Sequence, residues 1–331
     1  MAIRRPTVAV FGSLAAVALA VALLPVPPAL AASRAAAAWR TVTYRGVSLQ
    51  VPSAWPVFDL RRDPTRCVRF DRHAVYLGHQ GDQPDCPAGL IGRTEALQVE
   101  PLDDRAVAGV TLSPGRTTVG GAPARLASGA DASHTLAAAL PSLGVMVSLP
   151  YGSDRTLVDR ILASVRQTGA VTPRPVPDTP PPASPDTADV SIRTIYTGQG
   201  FDACTAPSTT TMKAWTGSPF HSLGTYIGGA NRACSQANLT TSWVTSVEGM
   251  GWRLAPLWVG LQAPCTYHTG VAKIDPTRPA DQGVASADYA ATAASDLALG
   301  SHTPIYFDME GYSANNTSCT KSVQSFVTGW V

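Results

Sequence analysis

Apolar and polar positions alternate differently in the two halves of the chain. In the first half, Thr41 to Val51 is β-branched and partly alternating, as in two strands around a turn at Gly46. Cys67–Phe70, Ala74–Leu77, Ala96–Glu100 and Val145–Leu149 read as further strands, and Gly120-Gly121 marks a turn between two more. From Asp154 to Gln167, Leu157, Ile161, Leu162 and Val165 recur at helical spacing, with Asp154 placed to cap the helix. This pattern predicts a small α+β domain over residues 40–168.

The second half, residues 193–331, alternates strand-like and helix-like segments. Strands are predicted at Thr194–Ala203, Leu223–Gly228, Arg253–Gln262 and Thr303–Glu310. Helices are predicted at Ser208–Trp215, Leu239–Glu248, Asp281–Leu299 and from Ser318 to Trp330. Four β-α units in succession imply an α/β fold with a parallel sheet and right-handed crossovers. Between the halves, residues 172–190 hold seven prolines, which favour an extended, semi-rigid polyproline spacer.

Residues 1–31 have the form of a secretory signal peptide. Arg4-Arg5 precede an uncharged apolar run from Val8 to Leu24, and Ala29-Leu30-Ala31 fits a small-x-small cleavage site. The competing reading is a retained membrane anchor. The run is marginal for a span and Pro25-Val26-Pro27-Pro28 breaks it, which favours cleavage. The expected location is therefore secreted or cell-wall associated, with no stable membrane span after signal cleavage.

Charge narrows the function classes. The formal charge is +2, and without Arg4 and Arg5 the chain has 23 basic residues against 23 acidic ones. A neutral balance argues against a nucleic-acid partner and against a polybasic membrane-surface protein. Arg61, Arg62, Arg66, Arg69 and Arg72 crowd one stretch, and a polyanion site there competes with a solvated face balanced by Asp59, Asp63 and Asp71. The second reading is the commoner one. His73 and His79 have no companion at metal-ligand spacing.

Six cysteines, none at C-x-x-C spacing, suit disulfides in an exported chain better than zinc. Cys67 and Cys86 precede the proline-rich stretch and form the pairing available inside the first half. Cys204, Cys234, Cys265 and Cys319 follow it, and three pairings are open among them.

In sheets built from β-α units, functional groups gather beyond the carboxyl ends of the strands. The polar strand endings here are Asp202, Asn231, Gln262 and Asp308 with Glu310. Tyr306, Asp308 and Glu310 alternate and so share one face, with the two acidic Cα atoms about 7 Å apart. Like charges so placed resist joint ionisation and raise the pKa of one, as a general acid requires. Acids at such positions also cap helices or accept backbone hydrogen bonds, so the pattern alone favours a polar mouth more than it favours catalysis.

Four segments carry a family resemblance: Gly200–Ser208, Tyr226–Asn231, Gly260–Cys265 and Ile305–Glu310. Together they resemble the glycoside-hydrolase-like domain of unknown function 1906, which is in turn similar to the family 25 glycoside hydrolases, TIM-barrel lysozymes of peptidoglycan. The resemblance implies a TIM-type β/α barrel and catalytic roles for Asp202, Asp308 and Glu310, with Glu310 as the general acid. Asn231, Gln262 and Tyr306 are the expected substrate-binding residues. Tyr226 and Trp258 are further aromatic candidates for sugar contact, although core packing is the commoner role. Barrel placement sets neighbouring loops on one rim, which implies Cys204–Cys234 and Cys265–Cys319.

A closed barrel takes eight units and typically ~250 residues, so four units are expected to form a partial, C-terminally truncated barrel. The expected function is an exported glycoside-hydrolase-like protein acting on peptidoglycan or another cell-wall polysaccharide by carboxylate acid/base catalysis, with no cofactor and no metal. The alternatives are a non-catalytic cell-wall glycan-binding module and an inactive truncated fragment.

Overall fold

The computed structural model describes residues 38–81, 86–87, 90–107, 110–127, 133–177, 196–300 and 303–331. The signal segment 1–31 and the linker from residue 178 onward lie outside the described residues. Residues Ala38–Val331 form one unit, within which two lobes carry separate sheets.

The first lobe begins with a hairpin. β1 (Trp39–Tyr44) and β2 (Val47–Pro52) pair antiparallel around Arg45-Gly46, and β10 (Arg166–Gln167) pairs with the other edge of β2. A seven-stranded sheet follows, in the order β3-β4-β5-β9-β8-β7-β6. Its strands are β3 (Val57–Asp59), β4 (Val75–Leu77), β5 (Leu97–Pro101), β6 (Thr117–Val119), β7 (Ala122–Leu126), β8 (Thr135–Leu140) and β9 (Val145–Pro150). Helix α1 (Arg155–Ala163) starts where the Asp154 carboxylate accepts the Leu157 amide at 2.9 Å, satisfying a backbone donor that the first turn leaves unpaired. Its Val158, Ile161 and Leu162 pack with Val47, Leu49 and the Leu97/Val99 face of β5 in one core.

The opposite face of β5 is also covered. Gln98 and Glu100 point away from that core, yet both are buried. They line a cavity whose far wall comes from the second lobe.

The second lobe holds β11 (Gln199–Ala203), β12 (Phe220–Gly228), β13 (Arg253–Trp258) and β14 (Tyr306–Phe307), all parallel and adjacent in chain order. Helices α2 (Thr209–Ala214), α3 (Thr241–Gly249), α4 (Pro279–Asp296) and α5 (Thr317–Trp330) alternate with them. Met212 of α2, Trp243 and Val247 of α3, and Ala290 and Ala294 of α4 share one core with Leu223, Ile227 and Trp258, so these helices lie on the same side of the sheet. α4 and α5 approach closely because Gly283 and Gly329 lack side chains. A Cβ on either would fall 2.1 Å from the Phe326 carbonyl or 2.2 Å from the Ala280 carbonyl. The predicted fourth strand, Thr303–Glu310, is paired only at Tyr306 and Phe307. Pro256 cannot donate to a ladder, and β14 pairs only with the two residues that follow it.

The lobes are stitched through the loop after β12. Arg69 pairs with Cys234 and Ile91 with Arg232 in isolated antiparallel bridges. The Phe70 amide donates to the Ala233 carbonyl at 2.8 Å and the Gly92 amide to the Asn231 carbonyl at 2.9 Å. The three disulfides are Cys67–Cys86, Cys204–Cys234 and Cys265–Cys319, the expected pairs. The first two touch across the lobes, Cys86 Sγ lying 3.8 Å from Cys234 Sγ. No helix among the described residues is long and apolar enough to cross a membrane.

Phe326 is fully buried and stacks edge-on against Phe307 of β14, seating the shortest strand of the sheet. Phe326→Ala is expected to cost about 3–5 kcal/mol. The check is urea denaturation followed by circular dichroism.

Candidate active site at the carboxyl rim of the parallel sheet

Side chains alternate across the parallel strands. Phe201, Ala203, Leu223, Ile227, Trp258 and Phe307 face the helices and fill their core. Asp202, Gly224, Tyr226, Tyr306 and Asp308 occupy the alternate positions and face the other way.

Asp202 pairs in register with Gly224. A Cβ on Gly224 would fall 1.8 Å from Asp202 Oδ1, so the carboxylate lies directly over the glycine. Two residues further along β12, the Tyr226 phenol hydrogen-bonds the Asp308 carboxyl. Burial and the negative charges of Asp308, Asp202 and Glu310 push the Tyr226 pKa up to about 12. Burial, then repulsion from Glu310 and Asp202, pushes Asp308 up to about 6, against the opposing effect of the Tyr226 hydrogen bond. The structure thus brings Asp202, Asp308 and Glu310, from the first and fourth strands, into one electrostatic cluster.

The backbone under these acids is held by one side chain. Gln262 Nε2 donates to the Asp308 carbonyl at 2.9 Å and to the Gly260 carbonyl at 3.1 Å. Its Oε1 accepts the Glu310 amide at 2.8 Å. Asn231 does similar work one loop away. Its Nδ2 donates to the carbonyls of Gly260 at 2.7 Å and Ala272 at 2.9 Å, and its Oδ1 accepts the Ala272 amide at 2.8 Å. Both residues are 0% exposed. Both side-chain amides, expected to contact substrate, are committed in this structure to the backbone of the rim. The physical reason is that irregular rim backbone has no ladder partners, and buried amides must find some.

Tyr306, the other expected substrate-binding residue, is 53% exposed beside the acids. Trp258 is buried among the helices, in the core role. Two residues join the site without a sequence signal. His268 Nε2 lies 3.7 Å from Glu310 Oε2, and Tyr267, 72% exposed, flanks Gly311. Both come from the loop after β13, where neither periodicity nor a motif marks them.

Elsewhere, the arginine-rich stretch is paired locally: Arg61 with Asp59 at 2.7 Å, Arg66 with Asp63 at 2.7 Å, and Arg69 with Asp71. His73 stacks on Trp55, and His79 lies between Glu100 at 2.9 Å and Asp103 at 2.7 Å. Among the described residues, the group with metal-ligand spacing is Cys67, Cys86 and Cys234, whose sulfurs are all committed to disulfides.

Residues 213–331 match the family model of the Rv2525c-like, glycoside hydrolase-like domain. This is the glycoside-hydrolase-like class that the sequence motifs resemble, and the matched segment carries Tyr226, Asp308 and Glu310. No curated protein and no solved structure matches the chain.

The raised pKa of Asp308 has a thermodynamic sign. The folded protein keeps a proton that the unfolded chain releases between its ordinary pKa of 3.8 and about 6. The stability contributed by this group is therefore greatest in acid and falls as pH rises through that window. Relative to the native chain, Asp308→Asn is expected to gain stability between pH 4 and 6, by less than about 3 kcal/mol, and to stay level above it. Denaturation midpoints across that range test this, and a gap that is flat or shrinks with pH would contradict it.

Proposed function

We propose that this protein is an exported enzyme that cleaves a glycosidic bond in a cell-wall glycan, peptidoglycan being the first candidate. The observation that carries the reading is the Asp202–Asp308–Glu310 cluster, in which Asp308 holds its proton up to about pH 6. A carboxyl group protonated in that range is suited to protonate a departing glycosidic oxygen. In this reading Asp308 is the general acid, in place of Glu310 as the resemblance implied, because the environment of Asp308 favours the neutral form. Asp202 and Glu310 stabilise the oxocarbenium-like transition state and orient the attacking water, and Tyr306 packs against the sugar.

The match of residues 213–331 to a glycoside hydrolase-like family supports a glycan substrate. Three disulfides support an oxidising compartment outside the cytoplasm, in keeping with a cleaved signal at residues 1–31. Sequential parallel strands with helices on one side support an arc of a TIM-type β/α barrel, whose active rim is the carboxyl end of its strands.

The test is release of reducing ends from purified peptidoglycan by the full chain. Asp308→Asn is expected to lower turnover about 10²–10⁴-fold. The native rate falls above about pH 6, and Glu310→Gln, which removes part of the repulsion on Asp308, moves that limb to lower pH while losing rate. Equal turnover by the native chain and Asp308→Asn rejects the assignment. The exposed Tyr306 and Tyr267 favour a second reading, a wall-binding module, and co-sedimentation with peptidoglycan without released ends would select it.

A further inference from the structure

Between the lobes lies a cavity of about 280 Å³ that none of the three rim acids lines. Its floor is the second face of the seven-stranded sheet, with Gln98, Glu100 and Thr135, and its roof is the loop after β12 together with α4. Most of its wall is apolar, including Phe70, Ile227 and Trp258. Two guanidinium groups face into it, Arg93 from the first lobe and Arg232 from the second.

Arg93 is only 3% exposed. It donates to Thr135 Oγ1 and lies 5.6 Å from the centre of the Phe70 ring. Arg232 donates to the Ile227 carbonyl at 3.2 Å. The Nε–H of each is buried without a hydrogen-bond partner. Among the described residues, no carboxylate pairs with either group. The other charges on the wall are engaged. Glu100 is bound to His79 at 2.9 Å, Arg105 donates to the Gln80 carbonyl at 2.6 Å, and Asp296 accepts from Thr111.

A guanidinium stays charged in proteins, so burial here does not resolve itself by deprotonation. Arg93 is removed from water and Arg232 partly so, and two like charges placed there without a counter-charge are unfavourable. Burial lowers the pKa of both, and the charge of Arg232 lowers Arg93 further, which reports the same penalty. An oxyanion bridging the two forks would remove it, since planar guanidinium donors match carboxylate and phosphate oxygens in pairs.

We infer that the interlobe cavity is a binding site for a small oxyanion, a carboxylate or phosphate on a body no larger than one sugar ring, held between Arg93 and Arg232. The apolar walls take the body and the arginines take the charge, as in other small-molecule pockets. The ligand clamps the first lobe to the second, and the site is independent of the carboxylate rim.

The experiment is thermal unfolding of the full chain at constant pH and ionic strength, replacing chloride by inorganic phosphate or by glucuronate. A saturable rise in Tm with one of them is expected, and which one responds separates a phosphate ligand from a carboxylate. Arg232→Gln should weaken the response at least about tenfold, while Asp308→Asn should leave it intact. Equilibrium dialysis of the unmodified chain gives a reading free of any folding defect in a variant, with one anion bound per chain expected. Identical behaviour in chloride, phosphate and glucuronate, or a response that survives in Arg232→Gln, would overturn the site.

Discussion

The acidic rim depends on one buried amide. β14 has two ladder pairs with β13, and beyond Phe307 the Asp308 amide still donates to the Trp258 carbonyl at 2.9 Å. Gln262 fixes the next two residues by accepting the Glu310 amide and donating to the Asp308 carbonyl. Its side chain is fully buried, so water does not compete for those bonds. The two carboxyl groups repel each other and would relax apart on a free strand end. Held in place, Asp308 keeps a raised proton affinity, set first by its burial and then by that repulsion.

A second layer of constraint comes from the first lobe. The loop after β12 lends its backbone to Phe70 and Gly92 on one side and, through Asn231, to Gly260 and Ala272 on the other. The acidic rim therefore rests on a scaffold that both lobes help to hold. This also accounts for β5, buried along its whole length although its sequence alternates. One face of β5 meets an apolar core and the other meets a partner lobe through polar groups.

Much of this was legible in the chain. The Gly46 hairpin, the Asp154 cap, the order of the four β-α units and the acidic strand ends follow from periodicity, capping and turn chemistry. What stayed hidden depends on tertiary context. Thr135–Leu140 is alanine-rich with little strand propensity, and it becomes β8 by pairing with β7 and β9. Cys67–Phe70 reads as a strand but retains a single bridge at Arg69, made to the other lobe. Asn231 and Gln262 are polar residues at strand ends and so look like ligand contacts, and no local signal shows that both are buried and bonded to backbone. Arg93 and Arg232 are far apart in sequence, and nothing local announces that docking will bring both into one cavity.

The family-matched segment begins inside α2, after β11 and Asp202. Excised at that boundary, the sheet would lose the neighbour of β12 and expose a raw edge, one acid would be missing from the rim, and the loop after β12 would part from its backbone partners in the other lobe. The segment that matches the family model is thus smaller than the unit that the contacts hold together. Chimeras that exchange this domain between proteins should therefore begin the exchange ahead of the first lobe and not at residue 213.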